Sequence, residues 1–153
     1  MKIKIETDPA IMENEVIIRC GKIDDSIIKM EHALTDLCNA NTNFIFYQDD
    51  KEFYFPLDNI LFFETEGNQV YAHTKKDVYQ AKYRLYELEK MLPDCFIRVS
   101  KSTILNVYHV LSIKRNLTAS SEVWFEGTHK QVYVSRNYYK QLKQRLEEKR
   151  LSR

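Results

Sequence analysis

Glycine, proline and cysteine each occur only three times in the 153 residues, and tryptophan once. The chain therefore has no Gly-rich phosphate loop and no Gly-x-Ser-x-Gly nucleophile elbow. Its cysteines, Cys20, Cys38 and Cys95, are odd in number and far apart, which suits buried, reduced thiols better than disulfides or a zinc site. The four histidines, His32, His73, His109 and His129, are scattered without a His-x-x-x-His pair, so no metal or cofactor and no general base is expected of them. No apolar run approaches the roughly 18 residues of a membrane helix. The opening Met1-Lys-Ile-Lys-Ile-Glu6 is charged throughout, unlike a signal peptide. These absences argue against an enzyme and against membrane insertion, and favour a cytoplasmic protein.

What is present is an uneven distribution of charge. Residues 1–43 carry five Lys/Arg against eight Asp/Glu, and residues 44–94 carry six against ten. Residues 95–153 reverse the sign, with twelve against four, so an overall net charge of +1 conceals a basic final third. Such asymmetry steers a protein to a polyanion. Part of it, from Lys140 to Arg153, falls in or after a terminal helical pattern where charge is ordinarily a solvated face. Arg98, Lys101, Lys114, Arg115, Lys130 and Arg136 instead fall at strand ends and loops. Within Phe96-Ile-Arg-Val-Ser-Lys-Ser-Thr-Ile-Leu-Asn106, an alternating strand runs into a polar turn that offers donors and no carboxylate, a composition suited to phosphates and base edges.

The spacing predicts two regions divided at Asn39-Ala-Asn-Thr-Asn43, a polar, turn-favouring linker. Residues 1–43 read as a small ββα module: alternating strands over Lys2–Thr7 and Glu15–Cys20, then a helix capped by Asp24 or Asp25 with Ile27, Met30, Leu34 and Leu37 on one stripe. That module is too short for a phospho-receiver domain, so Asp24-Asp25 reads as a cap and not as a phosphorylation pocket. Residues 44–153 read as mainly β, with strands over 43–47, 52–57, 60–64, 69–74, 77–80, 108–114, 122–126 and 130–135. Asp49-Asp50 and Gly127 lie at hairpin turns. Leu85, Leu88 and Leu92 predict a helix over 83–92 stopped by Pro93. A last helix begins after Ser135 and turns Tyr139, Leu142 and Leu146 inward. The expected fold class is α+β.

Three loops combine: Thr65-Glu-Gly-Asn68, Ser100-Lys-Ser-Thr103 and Ser135-Arg-Asn137. Together with Ile60-Leu-Phe-Phe-Glu64, Gly67-Asn68, Ala72-His-Thr74, Phe96-Ile-Arg-Val99, Lys101-Ser102, Asn106 and Val134-Ser-Arg136, they make residues 44–148 resemble the LytTR DNA-binding domain family. The resemblance implies an elongated β–β–β fold whose loops enter successive major grooves of duplex DNA. It implies base reading by Asn68, Lys101 and Arg136, chemistry that bidentate Asn and Arg and a guanine-directed Lys can perform. Arg98, Ser100, Ser102, Lys130, Ser135 and Asn137 are the expected phosphate contacts. It further implies a transcriptional regulator on paired direct repeats, hence a homodimer on DNA, in which the N-terminal strands could join protomers through exposed edges. Two other classes fit the composition. One is a single-stranded nucleic-acid binder that stacks bases on some of the ten Tyr and eight Phe; the other is a protein-interaction module with a basic tail.

Overall fold

The computed structural model describes residues 2–12, 15–39 and 44–151. Among them are three α-helices and ten strands. Helix α1 spans Asp25–Asn39. Strands β1 (Phe46–Gln48), β2 (Lys51–Phe53), β3 (Phe62–Glu66), β4 (Gln69–His73) and β5 (Val78–Ala81) follow, then helix α2 (Leu85–Met91), β6 (Phe96–Arg98) and β7 (Thr103–Asn106). The chain ends with β8 (Val110–Lys114), β9 (Ser121–Phe125), β10 (Gln131–Val134) and α3 (Arg136–Leu151). A seven-stranded sheet has the order β2-β1-β5-β4-β3-β7-β6, and a three-stranded sheet the order β10-β9-β8; every pairing is antiparallel.

The large sheet is buried on both faces at its centre because β3 and β7 carry apolar doublets. Phe62 pairs with Leu105 and Phe63 with Ile104, and successive residues on a strand point to opposite faces. Phe63 and Ile104 meet Phe46, Val70, Ala72 and Ala81 beneath Leu85 and Leu88 of α2. Phe62 and Leu105 enter a second core with Val123, Phe125, Val132 and Val134 of the small sheet and Leu142 of α3. The two-layer packing places the small sheet and α3 against one half of the large sheet.

Local chemistry accounts for the boundaries. Asp49 and Asp50, at φ 49° and 63°, form the two-residue turn between β1 and β2, where both central residues need the left-handed conformation that Asp tolerates. The Asp24 carboxylate accepts from the backbone N–H of Ser26 and Ile27 at 3.1 and 3.2 Å, capping α1. Its pKa lies below the ordinary value, chiefly through the Ser26 hydroxyl bond. At α2 the Glu87 carboxylate reaches back to the Arg84 N–H at 2.7 Å, and the helix ends before Pro93.

The N-terminal region departs from expectation. Residues 2–7 and 15–20 contain no strand. Alternation produces a strand only where a neighbour satisfies the backbone and a core takes the apolar face; Ile3, Ile5, Val16 and Ile17 all remain exposed. Of the ββα module, only the helix forms. Its stripe half-buries Ile27, Met30 and Leu34 but leaves Leu37 67% exposed. Most of the expected linker, residues 40–43, lies outside the described residues. The cysteines also differ: Cys20 is exposed and Cys95 half-buried at the margin of the second core, while the Cys38 side chain lies outside the description.

Candidate nucleic-acid interface

The three loops singled out in the sequence are tied into one edge of the molecule. Between β3 and β4, Glu66 pairs with Gln69, leaving Gly67 and Asn68 as the turn. Gly67 sits at φ +59°, a conformation glycine takes without the penalty a Cβ would bring, and Asn68 is exposed beside it. The next loop, between β6 and β7, is closed by the Val99 N–H to the Thr103 carbonyl at 3.0 Å. Inside it, the Ser102 N–H donates to Ser100 Oγ at 3.2 Å, and the two hydroxyls lie 3.3 Å apart. Lys101 is exposed on this turn.

Two backbone bonds join this central loop to its neighbours. The Thr65 N–H donates to the Ser102 carbonyl at 2.8 Å, linking it to the hairpin that carries Asn68. The Ser135 N–H donates to the Val99 carbonyl at 2.9 Å, linking it to the start of α3. Arg136 and Asn137 are exposed on the first turn of that helix, and the Ser135 carbonyl accepts from the Tyr138 N–H at 2.9 Å. Asn68, Lys101 and Arg136 thus stand in sequence along one edge, each within three residues of a rigid tie.

Two expected phosphate ligands have other partners. Arg98 donates from Nε to the Ser100 carbonyl at 2.7 Å, from one terminal nitrogen to Glu89 of α2 at 3.0 Å, and from the other to the Lys101 carbonyl. Its guanidinium builds the turn from inside, and its side chain is only 19% exposed. Lys130 lies at the opposite end of β10 from Ser135, where its ammonium donates to the carbonyls of Thr74 and Asp77 at 2.8 and 2.9 Å. Burial there lowers its pKa. Both residues stabilise the scaffold instead of offering free charge at the loop edge.

Beneath the edge, β3 and β4 hold a polar pair. Glu64 Oε2 lies 3.9 Å from His73 Nε2, and the His73 ring stacks on Phe62 with centroids 4.2 Å apart. Burial raises the Glu64 pKa, with Glu66 adding to the effect, and burial together with the nearby Lys130 charge lowers that of His73 to about 4. His73 is therefore neutral at physiological pH, and among the described residues its buried Nδ1 finds no hydrogen-bond partner. Asn106 is a buried polar anchor: its amide donates to the Ile60 carbonyl at 3.2 Å and its oxygen accepts from the Tyr108 N–H at 3.1 Å. The turn between β8 and β9 also reaches this edge, a position that no local sequence signal reveals because it depends on strand pairing across the small sheet.

Residues 50–147 match the model of the LytTr DNA-binding domain. Uncharacterized HTH-type transcriptional regulators of Staphylococcus aureus strains NCTC 8325 and COL are each 30% identical over 146 residues, covering 95% of this chain and 98% of theirs. A solved LytTr DNA-binding domain from Bacillus cereus superposes with a TM-score of 0.63 at 24% identity, covering 69% of this chain and 98% of that one. The family match spans more than half of the sequence and includes all three loops, and so the chain belongs to the LytTr DNA-binding domain family.

Proposed function

We propose that this protein is a transcriptional regulator that recognises specific duplex sequences by inserting its loops into successive major grooves. Asn68, Lys101 and Arg136 read bases, while Ser100, Ser102, Ser135 and Asn137 hold phosphates and fix the register. The observation that carries this reading is the pair of backbone bonds, Thr65 to Ser102 and Ser135 to Val99, that fixes three exposed, donor-rich tips along one edge. A rigid row of donors loses little entropy on docking, so its contacts translate into selectivity. Two protomers on paired direct repeats complete the proposed assembly, and residues 1–43, with their net charge of −3, serve assembly or sensing apart from the DNA.

Arg136→Ala tests the reading. Once circular dichroism shows the variant folded, it should bind a duplex selected from a random pool about 1–3 kcal/mol more weakly and lose preference at one local position, with random-sequence binding changed much less. Equal losses on selected and random DNA would remove the base-reading role from Arg136.

A further inference from the structure

The turn between β8 and β9 is a basic, exposed element that the three-loop reading does not use. In the small sheet Val134 pairs with Ser121, and Lys114 pairs with Glu122. The end of β8 is thereby brought level with the end of β10, beside Ser135 and the first turn of α3. The backbone N–H of Asn116 donates to the buried Ser121 hydroxyl at 3.1 Å, and the Asn116 side-chain oxygen accepts from the Thr118 N–H at 3.1 Å. These bonds give the turn a defined shape. Lys114, Arg115, Asn116, Leu117 and Thr118 are all exposed along it.

Arg115 is the distinctive residue. Its guanidinium lies over the Tyr139 ring, 4.8 Å from the centroid, and so is held against the first turn of α3, three residues beyond Arg136. Stacking occupies the face of a guanidinium and leaves its N–H edge free to donate. Among the described residues no carboxylate pairs with Arg115. Glu122 sits across from Lys114 in the sheet. A positioned, uncompensated guanidinium at the end of a row of groove-entering loops has the chemistry of a phosphate ligand.

We infer that the β8–β9 turn is a fourth DNA contact, in which Arg115, held in place by Tyr139, binds a backbone phosphate flanking the groove entered by Arg136. The inference rests on the proposed duplex-reading function and extends its footprint at the Arg136 end. Arg115 fixes position and contributes no base discrimination; Tyr139 is a positioning residue that acts through it.

The test uses the full chain and two duplexes, one carrying the selected site with long flanks and one trimmed immediately beyond the Arg136 side of the site. Losing one phosphate contact removes about 0.9 from the slope of log affinity against log salt, which at 0.1 M salt corresponds to roughly eightfold weaker binding relative to 1 M. Arg115→Gln should lose that much on the long duplex, equally for selected and random sequence, and should match the parent on the trimmed duplex. Arg115→Lys should retain the slope. Tyr139→Leu should weaken long-duplex binding in the parent but add nothing to Arg115→Gln. Unchanged affinity and slope for a folded Arg115→Gln on the long duplex would overturn the inference, as would a selective loss on the preferred sequence, which would make Arg115 a base reader. The failure of the underlying reading looks different, because there Arg136→Ala loses selected and random DNA alike, whatever Arg115 does.

Discussion

Replacing Arg98 by alanine distinguishes a turn-building role from a phosphate-binding one. The substitution removes three bonds: to the Ser100 carbonyl at 2.7 Å, to the Lys101 carbonyl, and to Glu89 at 3.0 Å. Glu89 is 51% exposed, so solvent screens that ion pair and it is worth ~0.2–1 kcal/mol. The two carbonyls belong to a turn that water can reach. Each therefore forfeits the net value of a hydrogen bond, ~0.5–1.5 kcal/mol, and not a full burial penalty. Together these give a loss of ~1–4 kcal/mol. For a chain of 153 residues, at about 2–4 °C per kcal/mol, thermal unfolding should begin about 2–16 °C lower. Binding to the selected duplex should weaken because Lys101 rides on a loosened turn, but the salt dependence should keep the parent slope. A melting temperature within about 1 °C of the parent, combined with a slope shallower by about 0.9, would refute this reasoning and return Arg98 to the phosphates.

Two further outcomes follow from the buried polar groups. Asn106→Ala strands the Ile60 carbonyl and the Tyr108 N–H in a site only 1% exposed, and should lower stability in urea unfolding by roughly 1–3 kcal/mol; an unchanged midpoint would show that water reaches both groups. For His73 the folded pKa, about 4, lies below the unfolded 6.5, so between these values the unfolded chain takes up a proton that the folded chain does not. Its contribution is complete above pH 6.5 and is lost as pH falls towards 4, by roughly 3 kcal/mol at most. His73→Phe should flatten that part of the stability profile, and a variant with the parent's full dependence would rule His73 out as its source.

How much of this was legible in the sequence depends on how local each cause is. Gly67, Pro93, Gly127 and Asp24 mark turns and caps whose chemistry lies within a few residues, whereas the burial of Phe62-Phe63 and Ile104-Leu105 on both faces of the sheet depends on strand pairing. The polar turns that carry Asn68, Lys101 and Arg136 were visible for the same local reason, but the choice of these three residues came from the resemblance to the LytTR family. Strands at 2–7 and 15–20 were a misleading signal: alternation states that one face wants burial, but nothing in those residues supplies the neighbouring strand that would provide it. The α1 stripe was legible, whereas the exposure of Leu37 depends on where the helix lies.

The cations of the final third show why charge alone does not identify a ligand-binding residue. Arg98, Arg115, Lys130 and Arg136 are all loop-borne or at strand ends, and composition treats them alike. Docking α2 beside β6 brings Glu89 to Arg98, and folding the β9–β10 hairpin over the β4–β5 turn brings the Thr74 and Asp77 carbonyls to Lys130; both charges are then committed within the protein. Pairing β8 with β9 and β9 with β10 carries Arg115 across 24 positions of sequence to Tyr139, a ring that orients its charge without neutralising it. Carbonyls and carboxylates compete with phosphate for the same N–H donors, whereas an aromatic face does not. What a cation already touches therefore bears on how readily it can face DNA: Arg115 rests on a ring, whereas Arg98 and Lys130 would first have to give up carbonyls.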